Sequence, residues 1–289
     1  MNDTPIRNVS DTALMAAAYR AVESDRPDAL FRDPLAARLA GKKGRKILES
    51  LPSKAFVGGW TVVIRTRIID DFIHDAIVEG VNTVVNLGAG LDTRPYRMEL
   101  PASLRWIEVD QPQLIDLKEA ELATEKPQCR LERVKLDLSD VGARRAFLKK
   151  IGSDSGETLV LTEAVTPYLS ETDVAALGKD LRDMESVSGW IVDYFSPASY
   201  EYRRRSGLSR AMANAPFLFE PADYFGFFSR CGWSAKEVRY LAEGAESLGR
   251  PAPFPVLIRA LMRILGPLAS PERRREMRHY AGIVFFKKK

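Results

Sequence analysis

The chain has 289 residues, 45% of them hydrophobic, and a formal net charge of +4, enough apolar material for a large core. The mild basic surplus is spread over 42–43, 203–205, 273–275 and 287–289 without a nucleic-acid module, so surface solvation rather than nucleic-acid binding is expected. Cys129, Cys231, His74 and His279 stand apart outside any CxxC spacing, and no run approaches the roughly twenty apolar residues of a bilayer span, which predicts a reduced, cytoplasmic protein with neither structural metal nor disulfide framework.

Residues 1–58 read as a helical extension. A helix over 10–24 would be capped by Ser10 or Asp11, and FRDPLAARLAG places Pro34 just inside a helix start and Gly41 just past its end. From 61 to 80, Val63, Ile64, Ile68, Phe72, Ile73 and Ile77 recur at helical spacing up to Gly80. Short apolar runs at 83–87, 104–109, 129–136, 158–161 and 190–195 then predict strands. Helical stretches such as 111–125 and 170–185 separate them, the alternation of a mostly parallel, doubly covered sheet. After Ser196 the alternation stops. The aromatic segment from Tyr194 to Phe228 is expected to cover the strand ends and shape an apolar pocket, before two later strands at 233–241 and 281–288. The resulting division is one domain: extension 1–58, cofactor core 59–195, lid 196–231, and a strand pair with an intervening helical segment over 232–289.

The first strand runs into LGAGLDTRPYR. Gly88 and Gly90 suit a tight turn that approaches a ligand closely, with Ala89 between them. The third glycine of a dinucleotide fingerprint is Thr93 instead, and Asp92 would repel a phosphate, so a nicotinamide cofactor is disfavoured. The second strand ends at Asp110, where a carboxylate can accept from ribose hydroxyls; the third leads to Asp137, beside Leu138, where adenine could lie. The fourth ends at Glu163. One strand-end acid alone is an ordinary cap. Four successive strands delivering Gly-x-Gly, Asp, Asp and Glu point to an adenosine cofactor.

The ordered set SDTALMAAAYRA, DALFRDPLA, RTRIIDDFI, VVNLGAGLDTRPYR, EVDQP, DLSD and TEAVTPYL resembles the leucine carboxyl methyltransferase-like family, in its branch of bacterial small-molecule O-methyltransferases. The resemblance implies an α/β, Rossmann-like class I methyltransferase fold, a mostly parallel seven-stranded sheet with an antiparallel C-terminal strand. It also implies S-adenosyl-L-methionine as cofactor. Arg65 would pair with the methionine carboxylate, with Arg67 as fallback, because a guanidinium fork binds carboxylate bidentately. Gly88, Ala89 and Gly90 would line the methionine part. Asp110 would hold the ribose, Asp137 and Leu138 would frame the adenine, and Glu163 would face the amino group or sulfonium. Eukaryotic members carry a lysine in the first helix where this chain has Leu14-Met15-Ala16-Ala17, with Arg20 one turn on as a substitute. That departure turns the reading away from a protein carboxyl terminus and toward a small acceptor, acidic or aromatic.

An anionic acceptor would need no general base, whereas a hydroxyl would profit from one. Tyr168 and His279 are the candidates, and Arg203, Arg204 and Arg205 could recognise an acidic acceptor. The rival from another class is a cofactor-binding regulatory protein that has lost catalysis.

Overall fold

The computed structural model describes residues 6, 8–51, 56–154, 156–205, 213–254 and 270–289. Residues 206–212 of the expected lid and 255–269 of the expected C-terminal helical segment lie outside the described residues. The sheet has seven strands, β1 (Thr83–Leu87), β2 (Arg105–Asp110), β3 (Arg130–Lys135), β4 (Thr158–Thr162), β5 (Val187–Phe195), β6 (Trp233–Tyr240) and β7 (Ala281–Lys288). Their order is β3-β2-β1-β4-β5-β7-β6. All neighbours are parallel except β7, which runs antiparallel to both β5 and β6. The order reverses direction at β1, so the carboxyl ends of β1 and β4 open a crevice at the place where such sheets hold ligands.

Alternate side chains divide between two cores. Val85 and Leu87 of β1 and Trp190 and Val192 of β5 pack with α6 (Val141–Asp154) and α7 (Glu171–Arg182) on one face. Val84, Ile191, Ile283 and Phe285 pack on the other against Ile64, Ile68, Phe72 and Ile73 of α3 (Phe56–Val78). The period-2 pattern of the strands and the helical pattern of α3 meet there, as the apolar spacing predicts.

The N-terminal layer consists of α1 (Val9–Ser24) and α2 (Ala36–Ser50). The side-chain cap of α1 is Asn8, which accepts from the Asp11 N–H, two residues before the expected Ser10. Gly41 leaves the helical region at φ +56°, as a stop glycine should, but the chain resumes helical turns to Ser50 and α2 is kinked rather than ended. Ala17, Ala18 and Leu39 bury against Leu91 and against Leu114 of α5 (Pro112–Glu121), laying the extension over the carboxyl edge of the sheet.

The aromatic segment divides in two, which corrects the expectation of a pocket along its whole length. Phe219 and three aromatic residues of α9 (Tyr224–Arg230), Tyr224, Phe227 and Phe228, join the core around Trp190 and Trp233. The helix cap Asp223 and the close aromatic spacing make this a packing element. Phe217 packs edge-on to Tyr168 at 5.4 Å and beside Phe195 at 5.5 Å, and the Leu218 N–H donates to the Pro167 carbonyl.

Candidate active site at the strand ends

The glycine turn begins where both the Gly88 and Ala89 N–H groups donate to the Val109 carbonyl, folding the chain back over β2. Gly88 has φ +69° and Gly90 φ +48°. A Cβ on Gly88 would come within 2.4 Å of Val165 Cγ2, whereas one on Gly90 would meet Ala13 of α1 at 3.4 Å. Val165 of the protein is therefore one neighbour for which Gly88 makes room. Gly90 is where α1 rests on the turn.

Asp110 caps this turn from the tip of β2. Its Oδ2 accepts from the Gly90 N–H at 2.6 Å and its Oδ1 from the Gln111 N–H at 2.7 Å. Burial raises its pKa, with the nearby Asp137 charge adding and the two N–H donors opposing. Asp137 is exposed, and its Oδ1 accepts from the Ser139 N–H and hydroxyl. Leu138, half-buried beside it, gives its carbonyl to Arg144.

Glu163 lies between two arginines. Arg65 Nε donates to its Oε1 at 2.8 Å, and Arg94 Nη1 donates to its Oε2 at 2.8 Å. Burial pushes this carboxyl up, but the two guanidiniums outweigh that and hold it at about 2. Arg65, an exposed cation by sequence alone, is largely buried; its Nη1 also lies 3.5 Å from Asp193 Oδ1 at the end of β5. Asp193 Oδ2 accepts from the N–H of Ala164, the one non-glycine residue with positive φ among the described residues, at 55°. Arg67 points away, forming an outward pair with Asp71 one turn along α3. It does not join the site.

The residues missed by sequence reading complete the network. Arg94, 2% exposed, donates from Nε to Asp70 of α3 at 2.7 Å and from Nη1 to Asp92 at 3.0 Å. Arg97 grips Asp70 with both Nη atoms at 2.8 Å. Asp92 also accepts from Asn86 Nδ2 and from the Arg94 N–H. It faces the protein interior. Its carboxyl is buried, yet Arg94 and more distant cations keep it below the usual range. Behind Asp110, Glu108 is fully buried between Lys118 at 2.6 Å and Arg133 at 3.0 Å. The signal for this group was present as acids interrupting apolar runs, Glu108 in β2 and Asp193 in β5.

The other candidates are placed elsewhere or held fast. Arg20 donates from Nε to Asp33 and from Nη2 to the Leu91 carbonyl at 2.6 Å, tying α1 to the turn. His279 stacks on Tyr240 at 3.7 Å with Nε2 3.4 Å from Glu243. The Tyr168 hydroxyl bonds to the Thr12 side chain, and burial raises its pKa. Arg203 lies 3.5 Å over the Phe217 ring, while Arg204 and Arg205 pair with Glu220 and Glu201.

A leucine carboxyl methyltransferase family profile matches residues 13–181. The chain belongs to this family. It is 31% identical over 257 residues to a protein of Streptomyces avermitilis named as an S-adenosyl-L-methionine-dependent methyltransferase, covering 84% of this chain and 89% of the relative. A Frankia alni protein of the same description is 32% identical over 260 residues, covering 85% and 90%. The crystal structure of a DUF574 family protein from Streptomyces avermitilis shares the fold at a TM-score of 0.51 and 14% identity, covering 95% of this chain and 97% of that one.

The strand-end residues of this family member fit a sulfonium nucleoside. The network joins four carboxylates, Asp70, Asp92, Glu163 and Asp193, to three guanidiniums, Arg65, Arg94 and Arg97, an excess of acid that suits a ligand of net positive charge. Arg65 Nη2 has no hydrogen-bond partner among the described residues, leaving that nitrogen to donate to a ligand carboxylate. Each Asp110 oxygen holds a single N–H donor and retains acceptor capacity for a diol.

Proposed function

We propose that this methyltransferase transfers the methyl group of S-adenosyl-L-methionine to a carboxylate or hydroxyl oxygen of a small organic acceptor, and that acidic aromatic compounds are its best substrates. Methyl transfer from that donor is the activity of the family to which the chain belongs, and relatives spanning more than four-fifths of its length carry the same description. When bound, the cofactor supplies a methyl group activated by a sulfonium. Arg65 would hold its carboxylate through Nη2, Asp110 its ribose hydroxyls, Asp137 and Leu138 the adenine, and Gly88 to Gly90 the backbone path between them. Glu163 would offer negative charge to the amino group.

The observation that carries the acceptor class is the aromatic surface beyond β4 and β5, where Tyr168, Phe195 and Phe217 adjoin and the Arg203 guanidinium lies on Phe217. Aromatic faces take a planar acceptor, and a guanidinium takes its anion. Neither Tyr168, whose hydroxyl bonds to the Thr12 side chain, nor His279, stacked on Tyr240, is arranged as a general base. A carboxylate fits because it brings its own charge, so alignment and exclusion of water do most of the work.

The test is transfer of labelled methyl to a panel of aromatic carboxylic acids and phenols, with base hydrolysis separating esters from ethers. Base-labile product from the acids is the expected result. Binding of cofactor without transfer to any acceptor would favour a non-catalytic cofactor-binding protein. In the same preparation Asp110→Ala should weaken S-adenosylmethionine binding by about 10- to 100-fold, the value of hydrogen bonds to a charged group; near-normal calorimetric affinity would remove Asp110 from the site.

A further inference from the structure

We infer that Arg94 is a positioning residue for the methionine end of the cofactor site, acting through Glu163 on Arg65. This inference rests on the reading that Arg65 holds the cofactor carboxylate. Glu163 is the shared group: one oxygen accepts from Arg65 and the other from Arg94. Rotation of its carboxylate would break both bonds, so the two guanidiniums hold each other's orientation through it.

Arg94 in turn is fixed from three directions. Asp70 of α3 takes its Nε, Asp92 of the glycine turn takes Nη1, and the Thr66 carbonyl lies 3.5 Å from Nη2. Asp70 is itself gripped by Arg97, and Asp92 by Asn86 of β1. Every partner sits on an element that also borders the crevice: α3 carries Arg65, the turn carries Gly90, and the end of β4 carries Glu163. A planar fork with five donors can join these elements; a lysine, with one nitrogen, cannot satisfy Asp70 and Glu163 on opposite edges at once. Arg94 is too deeply placed, at 2% side-chain exposure, to serve as a direct ligand contact.

The experiment is a double-mutant cycle in the full chain with Arg65→Lys and Arg94→Lys, read by calorimetric titration with S-adenosylmethionine, S-adenosylhomocysteine and adenosine. Each single variant should weaken both sulfur nucleosides by about tenfold, and the double variant by about the same tenfold rather than a hundredfold, because Arg94 acts only through Arg65. Adenosine, which lacks the methionine part, should bind all variants alike. Additive losses would overturn the coupling. Loss of adenosine affinity in Arg94→Lys would overturn it too, by showing a general structural role. An Arg65→Lys variant with normal affinity would instead defeat the underlying reading of Arg65, and the inference with it. Should Arg94→Lys fail to fold, Asp70→Asn, which loosens Arg94 while keeping its charge, replaces it in the same cycle with the same expectations.

Discussion

Glu163 shows how a single residue's titration reports the network. Its carboxyl is held at about 2, below its ordinary value near 4.5, by the guanidiniums of Arg94 and Arg65 acting against burial. A depressed folded pKa contributes stability that is present above about pH 4.5 and is lost as pH falls toward 2. Glu163→Gln should therefore flatten the acid limb of the stability curve between those values. Denaturant unfolding at stepped pH checks this, and an unchanged slope would mean that the pair carries no net linkage. Only part of this site was legible from residues alone. Glu163 and Asp110 could be read because each follows an apolar strand. Arg65 could not, since an arginine on a helix reads as solvated surface, and it was found only through the family pattern. Arg94 and Asp70 were not found at all: an arginine after a turn and one acid of an Asp-Asp pair look exposed until the turn and α3 dock against each other.

Among the elements, the strands were the most legible, because alternation and β-branched runs depend on local sequence; β1 and β7 fall on the predicted residues. The glycine turn was legible as a turn but not in its cause. Gly88 combines φ +69° with a prospective Cβ contact of 2.4 Å to Val165, and the latter lies just past the end of β4, 77 positions on in the chain. Gly88→Ala should cost about 2–4 kcal/mol, from left-handed strain and overpacking together. Adding Val165→Ala should recover the overpacking share and leave the strain. Chemical denaturation of the single and double variants measures both parts, and no recovery would show that backbone conformation alone demands the glycine. The aromatic segment misled for a related reason. Phenylalanines at close spacing read equally as pocket wall or core, and only the position of α9 beside Trp190 and Phe286 decides for core.

For the molecule as a whole, the N-terminal layer is tied to the glycine turn by the buried bond from Arg20 to the Leu91 carbonyl, while Asp33 holds the same guanidinium from within the layer. Arg20→Met should raise hydrogen exchange across α1 and α2 while the central strands keep their protection, and should weaken cofactor binding by loosening the cover over Gly90. Uniform loss of protection throughout the sheet would show that the layer is part of one cooperative unit. The sheet itself has a property that follows from its order. β7 is the last strand in sequence yet lies between β5 and β6, with its first six residues buried. During synthesis, β1 to β5 can pair as they emerge, but β6 has no neighbour to hydrogen-bond until β7 has left the ribosome and inserted. Until that moment the outer edge of β5 stays open, an unpaired template for other chains. Nascent chains stalled before β7 should thus depend on chaperone protection that the released protein no longer needs.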